Sequence, residues 1–207
     1  GHGLHGLLTN TEYKSLSGTS VSRDFVEFPS QVLEHWASEP ELMKFYAKHY
    51  ATGEPISDEL ISKMQKASKF NQGFANTEYL AASYLDMDWH SLDTKEIQDT
   101  NKFEEKSLEG IGLIEEISSR YRTTYFQHIF TSSYSAGYYS YIWAAVLDSD
   151  AFKAFKESGD IFDEDLAFKY RKYILEKGGT EDPMQLYREF KGSDPDIDAL
   201  LEDRGLN

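Results

Sequence analysis

Two histidines open the chain about one helical turn apart. His2 and His5 stand at i, i+3 in GHGLHGLL, a spacing that places both rings on one face of a helix. Such a pair can bind a metal ion, but taken by itself it is more often ordinary polar surface. A second set of functional groups lies in HIFTSSYSAGYYSYIW, residues 128–143. Tyr134, Tyr138 and Tyr141 recur there at i, i+4 and i+7, which predicts three hydroxyls on one helical stripe. A tyrosine stripe is usually core or hydrogen-bonding scaffold. Beside a reacting amide it has another use, because hydrolysis builds negative charge on the former carbonyl oxygen. A preorganised donor to that oxygen is worth roughly 2.7–4 kcal/mol. The chain has no cysteine, so it holds no thiolate site, and any metal must rest on His, Asp or Glu.

Composition narrows the context. The 207 residues suffice for one sizeable core. A hydrophobic fraction of 40 % with 14 % aromatics argues for a folded globule. The net charge of −15 opposes phosphate backbones and anionic bilayers, so neither nucleic acid nor a membrane surface is an expected partner. No apolar run approaches the length of a membrane span.

The elements that must position these groups read as helices. Residues 2–8 are too short to judge and could end a helix, and 9–22 are a Ser/Thr/Gly-rich loop. Phe25, Phe28, Val32 and Trp36 recur at helical spacing and predict one buried stripe, with Pro29 either near the helix start or kinking it. Ser57 reads as an N-cap, with Asp58 and Glu59 in the first turn of a helix that runs to about Phe70. Further helices are expected over 74–88, 96–108 and 134–148, the last apolar almost all round and therefore interior. Gly178-Gly179 reads as a helix stop, Asp182-Pro183 as a helix start, and the C-terminal DIDALLEDRGL as a last short helix. The expected fold class is all-α.

The frame around His2 carries more than its spacing. GHGLHGLL reads as the end of HExxH followed by GLHGLL, with the first three motif residues expected ahead of Gly1. In that motif two histidines one turn apart bind zinc, and the Glu between them is the general base. Glu27 follows within SLSGTSVSRDFVEFPSQ, where by itself it would be an ordinary solvent-facing helix carboxylate. The stretch LSGTSV-x-RDFVEFPSQ-x-x-EHW resembles the M3 family of zinc peptidases. The segment from His128 to Trp143 is similar to that family's H-x(4–5)-GY-x-A-x-YY-x-Y-x-W. The C-terminal GGTEDPMQLYREFKGSDPDIDALLEDRGL is similar to the family's peptidyl-dipeptidase branch.

The resemblance implies a largely helical catalytic domain of which residues 1–207 are the C-terminal portion, the upstream half being supplied by the same polypeptide. It implies one zinc ion held by His2 and Glu27 together with a histidine ahead of Gly1. It implies Tyr134 and Tyr141 as transition-state donors, with His128 and Tyr138 touching substrate. Two departures stand out. Ser22 replaces the family's usual Pro, and Thr131-Ser132-Ser133 replaces a Gly-rich loop; neither removes a ligand or donor. The implied activity is hydrolysis of short peptides with release of C-terminal dipeptides, in the cytoplasm, with the periplasm as the alternative compartment. This portion alone, lacking the general base and one ligand, is expected to be inactive and to hold zinc weakly or not at all. The competing readings are an endo-oligopeptidase of the same family and a non-catalytic acidic interaction domain.

Overall fold

A computed structural model describes all 207 residues and resolves them almost entirely into helices. In chain order these are α1 (His2–Leu7), α2 (Arg23–Val26), α3 (Phe28–Ser38), α4 (Pro40–Tyr46), α5 (Asp58–Ser68), α6 (Gln72–His90), α7 (Thr100–Gly110), α8 (Gln127–Phe130), α9 (Ser140–Ser158), α10 (Glu164–Lys169), α11 (Pro183–Lys191) and α12 (Ile197–Arg204). A π-helical segment, Tyr170–Leu175, continues α10. The one β pairing is an isolated antiparallel bridge between Lys48 and Pro55. The expected all-α class is correct. No helix is long and apolar enough to cross a membrane.

Side-chain caps explain five of the helix starts. Ser57 accepts the Leu60 N–H, and Asp182 accepts those of Met184 and Gln185 ahead of Pro183. Asp99 caps α7 through Asn101 and Lys102. That helix therefore begins at Thr100, four residues later than the expected 96, because Asp99 takes the orphan amides there.

The chain divides into two compact units, Gly1–Phe70 with Ile142–Asn207, and Asn71–Tyr141. The first unit is built on one aromatic core. Phe25, Phe28 and Val32 pack with Leu147, Phe152, Phe155, Tyr170, Tyr187 and Phe190, while Trp36 packs against it half-buried and donates its indole N–H to the Ile161 carbonyl. The expected stripe from Phe25 to Trp36 is present, but its helix breaks at Glu27, and Pro29 sits in the first turn of α3. A proline in that turn loses nothing, since its missing N–H would have no partner anyway. His35 and Gln31 of α3 both reach Asp148 of α9, at 2.6 and 2.8 Å. Burial opposes a charged His35, but the Asp148 hydrogen bond and charge outweigh it and raise its pKa.

The second unit packs Ala82, Phe126, Ile129 and Tyr138 together, flanked by Tyr79, Trp89, Tyr121 and Tyr141. Trp89 of α6 stacks on Phe103 of α7 at 3.8 Å, and buried Glu104 accepts both the backbone N–H and the hydroxyl of Thr123. The helix expected over 134–148 is not continuous. Residues 134–139 are turns and α9 begins only at Ser140. Tyr139 and Trp143 are exposed, so the run is buried all round only from Ala144 onward, while Tyr134, Tyr138 and Ser140 before it are buried among exposed neighbours.

Candidate active-site groups

In the first unit, α1 meets the start of α3 backbone to backbone. A Cβ at Gly1 would stand 2.2 Å from the Pro29 carbonyl oxygen and the Ser30 Cα. That closeness lets His2 donate its backbone N–H to Ser30 Oγ at 3.1 Å, and the same hydroxyl lies 3.1 Å from His2 Nδ1. Ser30 thereby fixes the ring with Nε2 facing Glu27, whose Oε2 is 3.4 Å away. Glu27 occupies the break between α2 and α3. The buried side chains of Val26 and Phe28 on either side hold it, and its own side chain is 11 % exposed.

The separation of His2 and Glu27 bears on what they could hold. A charge-assisted N–H···O contact closes to about 2.7–2.9 Å. Two ligands of a tetrahedral zinc, each roughly 2.0–2.2 Å from the ion, stand about 3.4 Å apart. Imidazole nitrogen and carboxylate oxygen are both zinc donors, and a ligating histidine usually donates its far ring N–H to an oxygen acceptor, a part the Ser30 hydroxyl can take. The pair thus fits as two members of a metal-ligand set. The chain contains no group of three or more His, Cys, Asp or Glu able to hold a metal ion.

His5 does not join the pair. It is fully buried, with neither ring nitrogen hydrogen-bonded. Burial first, then the neighbouring His2, pushes its pKa down to about 4, so it is neutral at physiological pH. The surface role expected of an i, i+3 histidine pair does not apply to it.

In the second unit the expected aromatic residues do come together, though not on a helical stripe. Tyr134 and Tyr141 stack at 5.1 Å between ring centroids, and Tyr138 lies 5.5 Å from Tyr141. His128 stands within 6.3 Å of all three rings. Burial pushes the Tyr138 hydroxyl up to about 12, so it remains a protonated donor at neutral pH. Tyr79, stacked on Tyr138 at 5.1 Å, is likewise raised by burial.

The backbone that delivers these rings is held by a residue the sequence reading missed. Asp86, fully buried on α6, accepts the backbone N–H groups of Ala136, Gly137 and Tyr138 at 2.9, 2.9 and 2.8 Å. It also pairs with His90 Nδ1 at 2.8 Å. Three amides on one carboxylate hold the segment in a turn, with Ala136 at φ 52°. This is why the predicted helix starts late. The signal was present in YLDMDWH: an acidic residue continuing the stripe of Ala81, Ala82 and Leu85 is either paired or misplaced.

Residues 1–206 match Peptidase family M3, and the chain belongs to that family. It is 45 % identical over 209 residues to the dipeptidyl carboxypeptidase of Escherichia coli and 43 % identical over 209 residues to that of Salmonella typhimurium. It is 40 % identical over 215 residues to the oligopeptidase A of Escherichia coli. Each comparison covers the whole chain, which spans about 30 % of the length of these curated relatives.

Proposed function

We propose that the complete gene product is a zinc peptidase that hydrolyses short peptides and releases dipeptides from their C-termini, acting in the cytoplasm. The observation that carries this reading is the His2–Glu27 pair. A nearly buried carboxylate meets an imidazole nitrogen at 3.4 Å, with Ser30 setting the ring.

His2 Nε2 and Glu27 would hold the zinc ion, which would supply a Lewis acid there. The hydroxyls of Tyr134 and Tyr141 donate to the oxygen on which charge develops. Their stacked rings limit rotation, so little reorganisation is needed when that charge appears. His128, beside both rings, and Tyr138, beside Tyr141, orient the peptide backbone. Residues 1–207 form the C-terminal portion of this catalytic domain.

The 40 % identity to a relative named oligopeptidase A supports a second reading, internal cleavage of oligopeptides by the same groups. Steady-state kinetics of Tyr141→Phe in the complete gene product test the assignment. Loss of one oxyanion donor lowers kcat by roughly 100- to 1,000-fold; a fall of less than about ten-fold would remove Tyr141 from the chemistry.

A further inference from the structure

Glu104 is a buried carboxylate outside the groups assigned above, and both of its oxygens are occupied. Oε1 pairs with the Arg122 guanidinium, while Oε2 accepts the Thr123 backbone N–H at 2.9 Å and the Thr123 hydroxyl at 3.1 Å. The same hydroxyl accepts the Trp89 indole N–H at 3.0 Å. Trp89 lies on α6 and stacks on Phe103 of α7, the residue before Glu104. Two helices thus clamp one corner of the chain, Arg122–Thr123. A buried ion pair adds little net stability, because desolvating the charges offsets their attraction. A fully satisfied buried network contributes rigid geometry instead.

The clamped corner leads directly to His128. The 3-10 turn Thr123–Tyr125 starts there, and α8, which carries His128, follows it. Phe126 and Ile129, both buried, anchor α8 on either side of the histidine. The residues that flank the corner pack on the same ring cluster. Tyr121 lies 5.5 Å from His128 and stacks on Phe126 at 4.7 Å, and Phe126 meets Tyr138 edge-on at 4.8 Å. The turn that carries Tyr134 and Tyr141 is held separately, by Asp86. Two buried carboxylates therefore divide the cluster, Asp86 fixing the tyrosine turn and Glu104 fixing the approach to His128.

We infer that Glu104 is a positioning residue for substrate binding: through the Arg122–Thr123 corner it sets the place of His128 against the peptide backbone. The inference rests on the peptidase reading above and deepens it. Glu104 acts only through His128, so its loss matters only while His128 is there to be misplaced.

The test is steady-state kinetics of the zinc-loaded complete gene product on one short peptide. The variants are Glu104→Ala, Glu104→Gln, His128→Ala, and Glu104→Ala combined with His128→Ala. Circular dichroism and zinc content check fold and metal in each. Glu104→Ala raises KM by roughly 10- to 100-fold, the scale of a misplacement of about 1 Å. It leaves kcat within about three-fold, since binding shared by ground and transition states is what is lost. Glu104→Gln keeps an oxygen for the Thr123 N–H but not the charge for Arg122, and it moves KM less. In the double variant KM equals that of His128→Ala alone, because the two residues act as one unit. KM effects that multiply in the double variant would overturn the inference and mark a merely structural role. So would a folded Glu104→Ala with unchanged KM, and both results leave the peptidase reading intact. If Glu104→Ala does not fold, Glu104→Gln takes its place in the same comparison. A wild type that cleaves no peptide would instead defeat the peptidase reading, and the inference with it.

Discussion

The Asp86 carboxylate accepts the Tyr138 backbone N–H at 2.8 Å from a fully buried position, with the Gly137 and Ala136 amides beside it. One side chain of α6 thus fixes the turn between Tyr134 and Tyr141. Asp86→Ala leaves buried amides without acceptors, each costing about 1–3 kcal/mol. We expect at least about 3 kcal/mol of destabilisation, together with loss of the Tyr134–Tyr141 stack. Denaturant unfolding read by tyrosine near-ultraviolet dichroism checks both. Unchanged stability would show that the turn holds itself.

Gly178 and Gly179 are more than a helix stop. Gly178 has φ +51°, and a Cβ there would meet the Leu16 carbonyl oxygen at 2.1 Å. At Gly179 it would meet that of Ser20 at 2.3 Å, while the Gly179 N–H donates to Leu16 at 2.8 Å. Gly179→Ala must push the 16–20 loop away, at a cost of about 1–3 kcal/mol, the usual range for overpacking. A thermal melt that does not move would contradict this close approach.

His5 gives stability a definite pH dependence. Its folded pKa, about 4, lies below the ordinary histidine value of 6.5 because the ring is buried. Between those values the unfolded chain binds a proton that the folded chain refuses, so the His5 contribution is complete above 6.5 and is lost as pH falls toward 4. The span corresponds to about 3 kcal/mol. The difference in unfolding free energy between wild type and His5→Leu, measured from pH 7.5 down to 4, should shrink by about that amount. A constant difference would mean that His5 protonates freely in the fold.

The His35–Asp148 contact has the opposite sign. The pKa of His35 is raised in the fold. Its contribution is therefore present below the unfolded pKa of about 6.5 and fades as pH rises through the folded value. Asp148→Asn removes that dependence, and titration of the His35 ring protons by NMR checks it. A wild-type His35 titrating at or below 6.5 would refute the raised value.

Local chemistry was the legible part of the fold. Ser57 and Asp182 cap as their neighbours predict, and the apolar period from Phe25 to Val32 names a true core face. Glu27 stands out only because a motif surrounds it; its placement between α2 and α3 follows from Val26 and Phe28 going inward on either side. The tyrosine segment misled in form. Its i, i+4, i+7 spacing suggests a helix, but a carboxylate about fifty residues earlier in the chain outcompetes the helical acceptors for its amides.

If His2 and Glu27 are two ligands of one metal ion, as proposed, replacing one must release it. The most direct measurement is the zinc content of the purified complete gene product, wild type against Glu27→Gln, after dialysis against metal-free buffer. Stoichiometric zinc is expected in the wild type and less than about a tenth of it in Glu27→Gln, since a carboxylate ligand has been replaced by a neutral amide. Full zinc retention in a folded Glu27→Gln protein would contradict it.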